Sequence, residues 1–414
     1  MKKAIVLWGV LAMLAPSVYA ENTEKEEIIK IEIQVEEENT MPESEKMTKS
    51  EIAAQSTAAI ANLGASILKT VDDNENLSIS PLSIAYALGM TANGAAADTR
   101  TQMETVMGTD VETLNEFLQD YGATLQETLS IANSIWFNDA EHVHIEDSFL
   151  KTSETIYSAG VYQLPFLKST YLLVNDWIAE HTMGLIENMI KKPFEPDTVM
   201  CLVNALAFEG KWREPYSEYS IAEDTFTTSA GEVQNVEFMS SSENFYIKLD
   251  NAIGFKKYYE DFKYSFVALL PNESLDGFIA SMDMPAVLEA VKNPVRTSVN
   301  TKMPKFAFDY DVELRDILMS LGMPLAFDRD YADFSLMGTS DVGKLYIGDV
   351  LHNTTIDVDE NGTVASAATV VMIMNAMSMP VEIKEVYLDR PFFFMIMDEQ
   401  TNLPLFMGAV NNIK

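Results

Sequence analysis

The run Val199 to Phe208 (VMCLVNALAF) is apolar on both alternations of an extended chain, broken only by Asn204. Successive strand side chains point to opposite faces, so this segment is predicted to be a central strand covered on both sides within a layered sheet. A buried Asn204 amide then needs hydrogen-bond partners. Other segments carry other periods. Ile52, Ala59, Ile60, Leu63 and Ile67 recur at helical spacing until Val71-Asp72-Asp73-Asn74 ends the run. Pro81 is predicted to open a second helix with Ser80 as its cap, because its missing N–H costs nothing there. Leu173 with Trp177, and Val174 with Ile178, place a helix at about 171–190. Thr355, Asp357 and Asp359 alternate with Ile356 and Val358, as in a strand with one wet face. Pro391–Met397 and Leu405–Val410 read as a hairpin. Helices gather early and strands late, so the class is α+β rather than alternating α/β.

The N-terminus has the pattern of a secretory signal over residues 1–20. Lys2 and Lys3 precede the apolar stretch Ala4 to Ala15, and Val18-Tyr19-Ala20 offers a small-x-small cleavage site. The stretch is too short for a bilayer span and no later apolar segment of about 18 residues occurs, so export to a secreted or periplasmic location is expected. Cys201 is the single cysteine, which leaves packing rather than disulfides to hold the fold. Export without disulfides fits a bacterial source better than an animal secretory pathway. The formal charge of −35 argues against nucleic acid, whose phosphates require clustered Lys and Arg. Residues 21–50 hold ten Glu against four Lys and read as an acidic, disordered spacer. From about Glu51 the texture is globular to Lys414, so residues 51–414 form one domain, expected as a monomer.

No chemistry of the chain's own stands out. G-x-S-x-G, H-E-x-x-H, C-x-x-C and a Gly-rich phosphate loop are all missing from the sequence, so no enzyme is assigned. His142 and His144 alternate along a strand without a third His or a Cys nearby, so neither metal nor cofactor is expected. Cys201, in mid-strand, reads as an inert small apolar residue. The informative stretch follows Val358. Glu360-Asn361-Gly362-Thr363 leads into Val364-Ala365-Ser366-Ala367-Ala368-Thr369, then into an uncharged, Met-rich run from Val370 to Pro380. It is too long and apolar for an ordinary loop, and its start is too small for an ordinary core strand.

Several segments resemble one family, the serpins, in the right order over essentially all of 51–414. Asn76 to Ile84 (NLSISPLSI) with Ala87-Leu88-Gly89-Met90 and Gly94-Ala95 is similar to the family's early helix signature. Asn204 to Phe208 with Gly210-Lys211-Trp212 is similar to its third central strand and turn. Leu345 to His352 (LYIGDVLH), Asp389 to Phe394 (DRPFFF) and Leu405 to Gly408 (LFMG) complete the set. The resemblance implies a serpin fold of three β-sheets with about eight or nine helices and an exposed reactive loop at about 360–380. It also implies an inhibitor whose loop is cut by a serine protease and then inserts into the large sheet, dragging the acylated protease with it. Sixteen inserted residues at about 3.3 Å each would carry the cut end roughly 50 Å.

By the same resemblance, Glu360, Gly362, Thr363, Ala365, Ala367 and Thr369 are the hinge. Thr363, Ala365, Ala367, Thr369, Val371 and Ile373 would face the core after insertion, and none is charged. Ser80, Ser83, Asn204 and His352 match a buried polar cluster beneath the sheet opening, Trp212 the aromatic residue where the loop first goes in, and Lys305 a partner of Glu360. Family spacing puts the reactive bond at Ala376-Met377, with Met377-Ser378 as the alternative. Either bond implies a serine protease taking small or unbranched apolar residues, elastase-like or subtilisin-like, with papain-like cysteine proteases as a second class of target. Lys and Arg are missing from Gly362 to Ile383, which argues against a trypsin-like target. Two positions depart from the pattern: Val364, where the family usually has Glu, and Asn361, where a charged residue is common. The other reading is a non-inhibitory serpin-fold binding or storage protein whose loop is only cut.

Overall fold

The computed structural model describes residues 29–30, 47–71, 75–125, 128–139, 142–195, 198–341, 343–348, 350–363 and 383–413. The first long helix, Lys49–Thr70, starts two residues ahead of the expected boundary because Thr48 and Glu51 form a capping box. The Thr48 Oγ1 accepts from the Glu51 N–H, and the Glu51 carboxylate accepts from the Thr48 N–H at 2.8 Å. Its buried stripe contains the predicted Ile52, Ala59, Ile60, Leu63 and Ile67. The helix Pro81–Ala92 starts as expected, with the Ser80 Oγ accepting from the Ser83 N–H at 3.1 Å. The helix predicted at about 171–190 is shorter, Thr170–His181. Met183 (φ 57°) and Gly184 (φ 76°) take left-handed backbone conformations there, and the Gly184 N–H returns to the Ala179 carbonyl at 2.9 Å. Val174 and Ile178 are its buried stripe, whereas Leu173 faces outward.

Six of the nine α-helices among the described residues precede Thr182, and strands dominate from Met200 onward, as an α+β chain requires. The largest sheet has nine strands. Its ladder runs from Lys384–Tyr387 through Val295–Pro304, Val233–Lys248, Ala252–Tyr258, Tyr264–Pro271, Phe392–Asp398 and Leu403–Val410 to Leu77–Ile79, with Ile221–Thr227 on the side of Val233–Lys248. The C-terminal hairpin read from sequence lies towards its Leu77–Ile79 end, and Phe392, Phe393 and Phe394 are fully buried.

Two four-stranded ladders make up the rest of the main β-structure. One holds Ile29–Lys30, Gly160–Leu164, Leu129–Asn138 and Met200–Phe208 in that order. The other holds Phe306–Glu313, Leu351–Val358, Gly362–Thr363 and Gly210–Lys211. Val143–Ile145 and Gly338–Ser340 form a separate ribbon. Met200–Phe208 is covered on both faces, as its composition demands. Leu206 and Phe208 belong to the main core, while Val203 and Ala205 pack with Val174 and Ile178 beneath the Thr170–His181 helix. The acidic stretch 21–50 contributes Ile29–Lys30, paired antiparallel with Gln163 and Tyr162, so at those two residues it is sheet edge rather than spacer. The signal-like residues 1–20 lie outside the described residues.

Gly408 lies between two strands, across from Phe394 and Ser78. A Cβ there would come within 2.4 Å of a Phe394 ring carbon and 2.6 Å of the Leu77 carbonyl oxygen, and a backbone carbonyl cannot yield as a flexible side chain does. Gly408→Ala is expected to lower unfolding free energy by at least about 1–3 kcal/mol in a denaturant titration.

Candidate functional site

A seam separates the two four-stranded ladders. Among the described residues, no ladder pair joins Met200–Phe208 to Leu351–Val358. At one end Gly362–Thr363 lies antiparallel to a strand of each half: Thr363 pairs with Val358 on one side and with Gly210 on the other. Gly210–Lys211 is the chain's own continuation beyond Phe208, so the hinge residues Gly362 and Thr363 already sit between the halves. A cavity of about 10 Å³, room for about one water, lies along the seam between Leu206, Ala207, Phe208 and Thr355.

The turn that delivers Gly362–Thr363 is built by local chemistry. After Val358 the Asp359 carboxylate accepts from the Asn361 N–H (2.7 Å) and the Gly362 N–H (3.0 Å), and the Asp359 N–H donates to the Gly362 carbonyl (3.0 Å). This is an Asx turn that reverses the chain into a hairpin. The turn is gripped from below. The Trp212 N–H donates to Asn361 O (2.8 Å), its indole N–H to Asp359 O (2.9 Å), and the Tyr216 N–H to Glu360 O (2.9 Å). The Trp212 ring stacks on Tyr259 at 4.6 Å between centroids. The Tyr259 hydroxyl shares a 2.6 Å hydrogen bond with the buried Thr363 hydroxyl. Burial pushes the Tyr259 phenol up, keeping it neutral and able to donate.

Charge is concentrated at the hinge. The Asp357 carboxyl is pushed above its ordinary value by partial burial, then by Asp359 and Glu360. Lys305 offsets this, meeting Glu360 at 2.9 Å and Glu237 at 3.2 Å, and it holds the Glu360 carboxyl below its usual range. Glu360 and Lys305 are both partly exposed, so this contact is worth about 0–1 kcal/mol.

Roughly 20 Å along the same strand, at about 3.3 Å per residue, lies the polar cluster. The His352 Nε2 accepts from the Ser80 N–H at 3.0 Å, and the Ser83 hydroxyl donates to the Asn204 side-chain carbonyl. Asn204 donates to Asn133 (2.7 Å), and Asn133 to the Tyr157 carbonyl (2.7 Å). Thr354 donates to the Ser78 carbonyl at 2.9 Å. His352 and Asn204, one from each ladder, are both tied to the Ser80–Ser83 helix start. Burial lowers the His352 pKa to about 4, so at neutral pH the ring is the uncharged acceptor that the Ser80 N–H requires.

The expected residues therefore fall into two groups along one seam. Glu360, Gly362, Thr363, Trp212 and Lys305 meet at one end, and Ser80, Ser83, Asn204 and His352 meet lower down. Ala365, Ala367, Thr369 and the bonds at Ala376, Met377 and Ser378 lie outside the described residues. Asn361 donates its side-chain amide to Asp359 at 3.1 Å, so it helps form the turn. Asp359 had a readable signal, the Asp-Glu-Asn-Gly turn chemistry. Asn133 and Tyr259 had none, because strand pairing brings them to the seam, and Tyr216 lies in the irregular segment after Trp212. The Cys201 thiol, opposite Trp136, is pushed up to about 12 by burial and is a poor nucleophile. His144 lies in the Val143–Ile145 ribbon opposite Thr339.

The profile of the family described as "Serpin (serine protease inhibitor)" matches residues 58–413. Human neuroserpin (Homo sapiens) is 27% identical over 85% of this chain and 90% of its own length. The leukocyte elastase inhibitor of Bos taurus is 29% identical over 81% of this chain and 93% of its own length. Among solved structures, the thermophilic serpin tengpin in its native state superposes with a TM-score of 0.82 at 42% identity, covering 90% of this chain and 97% of tengpin.

The His352 shift carries a pH dependence. Its folded value, about 4, lies below the ordinary 6.5, so its contribution to stability is complete above pH 6.5 and is lost as pH falls towards 4. Comparing denaturant unfolding of the wild type and His352→Gln between pH 7 and pH 4, the wild type is expected to lose more stability, by on the order of 3 kcal/mol. Parallel pH profiles would mean that the ring is not held neutral by burial.

Proposed function

The chain belongs to the serpin family, serine protease inhibitors rather than catalysts, and we propose that it is an inhibitor that traps its target protease by zipping a cleaved loop into the seam. The observation that carries this reading is the hairpin nucleus, Gly362–Thr363 paired on both sides at the seam's end. Continuing the same register would bring Ala365 between Ile356 and Phe208, and Ala367 between Thr354 and Leu206. Ile356, Phe208, Thr354 and Leu206 all face inward at these levels. Small uncharged residues suit such positions, since an unpaired charge buried there is costly.

Thr369 would then lie between His352 and Asn204. Its hydroxyl can both donate and accept, so it can join the polar cluster where a valine or alanine could not. The departure at Val364 also has a physical reading. Its outward side chain would come between Asp357 and Glu209, next to Asp359 and Glu360, where a glutamate would add to like charge already raising the Asp357 carboxyl. Valine avoids that repulsion.

The bait bond is Ala376-Met377 or Met377-Ser378, and the target is an elastase-like or subtilisin-like serine protease. A relative named leukocyte elastase inhibitor and the missing basic residues from Gly362 to Ile383 both favour this target. The signal-like N-terminus favours action outside the cytoplasm.

The test is to mix the protein with an elastase-like protease, denature in SDS, and look for a band at the summed mass. The wild type is expected to give that band. Thr369→Glu is expected to be cut at a similar rate while at least tenfold less complex forms, because the buried carboxylate would block zipping halfway. A cleaved wild-type product with fully active protease would favour the binding or storage reading.

A further inference from the structure

Ala252–Tyr258 carries two adjacent buried lysines on opposite faces, each paired with a partly buried carboxylate. Lys256 meets Glu399 at 2.7 Å, and Lys257 meets Glu243 at 2.8 Å. The Lys257 side chain is 3% exposed and that of Glu243 is 13% exposed. Taking both charges out of water costs several kcal/mol that their attraction need not recover, so buried pairs of this kind are weak stabilisers. The geometry around Lys257 points to another role. Its ammonium lies 4.4 Å from the centroid of the Tyr216 ring and 5.6 Å from that of Trp212. Glu243 also accepts from the Ser241 hydroxyl at 2.6 Å, and Ser241 shares a 2.8 Å hydrogen bond with Thr301. The carboxylate is thus fixed to the nine-stranded sheet, and through it the ammonium is fixed against two aromatic faces.

Trp212 and Tyr216 are the two residues whose N–H groups hold the backbone of the Asp359–Gly362 turn. We infer that Lys257 and Glu243 are positioning residues for loop insertion: the ion pair pins the Trp212–Tyr216 clamp to the nine-stranded sheet and keeps the hinge hairpin folded as a ready nucleus. A zipper that starts from a formed turn skips the step of closing it. If the clamp loosens, the cleaved loop begins to zip later, and water has longer to release the acylated protease. This rests on the trapping mechanism proposed above, but the state of the clamp can be read without any protease.

Lys256 supplies the internal control. It is equally buried, in an equivalent ion pair on the same strand, yet its ring contact is with Tyr258 rather than with the clamp. Amide hydrogen exchange of the intact protein is the first measurement. Lys257→Met is expected to speed exchange at the Trp212 and Tyr216 amides at least tenfold. Lys256→Met and Lys257→Arg should leave those amides within about twofold of the wild type. Unchanged exchange in Lys257→Met, or equal loss in Lys256→Met, would overturn the inference.

The second measurement is the number of inhibitor molecules consumed per protease inactivated. Lys257→Met should raise it several-fold at an unchanged rate of first cleavage, with Lys257→Arg close to wild type. A rise of the same size in Lys256→Met would mark general destabilisation and also overturn it. Should the wild type form no covalent complex, the trapping function fails, and the exchange comparison still decides whether Lys257 pins the clamp.

Discussion

Two strands that share no ladder pair among the described residues, Leu351–Val358 and Met200–Phe208, set the character of this molecule. Leu351–Val358 is bonded to Phe306–Glu313 on one side, and Met200–Phe208 to Leu129–Asn138. Along their facing edges, among the described residues, only the Thr363 level is bridged by a ladder. A sheet edge is a row of donors and acceptors that folding ordinarily satisfies, at roughly 1 kcal/mol net for each bond. On the trapping mechanism proposed above, such edges and a compatible segment together give the chain a lower-energy arrangement, and covalent geometry delays it, since a segment tied at both ends would not lie down in the seam along its whole length.

The two ends of the seam have different tasks. At the hinge, Asp359 closes the turn, Trp212 and Tyr216 hold its backbone, and Tyr259 receives the Thr363 hydroxyl. These contacts fix the register, and register decides which face each later residue would take. Lower down, His352, Asn204, Ser80 and Ser83 satisfy one another beneath the sheet. A polar cluster there can exchange partners with a hydroxyl more cheaply than an apolar core could admit one. Nucleus and cluster thus share one geometric logic, because extending the register from Thr363 brings Thr369 level with His352 and Asn204.

Much of the scaffold was legible because local rules and global packing agreed. VMCLVNALAF demanded cover on both faces and has it, and Ser80-Pro81 opened a helix where capping chemistry said it would. The 171–190 helix was over-read because apolar spacing continues to Ile186, whereas Met183 and Gly184 turn the backbone left-handed. The strand pairing of Ile29–Lys30 was hidden inside a segment whose acidic composition argued for solvent. At the site, the family motifs located the residues on Leu351–Val358, Met200–Phe208 and the hinge. Tyr259 and Asn133 were not readable, since register between strands far apart in sequence gives them their partners, and the Lys257–Glu243 pair was not readable because its ring partners Trp212 and Tyr216 lie outside its own hairpin. A lysine in an otherwise apolar strand gives no hint of which rings it will lie against.

On the proposed mechanism, free energy is stored along the seam and released when the loop is cut. Thermal denaturation of the protein before and after a single cut between Ala376 and Ser378, with the cut ends kept in solution, measures that store directly. If zipping recovers on the order of 10 kcal/mol, the cut form should melt roughly 10–20 °C higher or more. A cut form that melts at or below the intact temperature would mean that the facing edges hold no reserve and that the loop is bait without a trap.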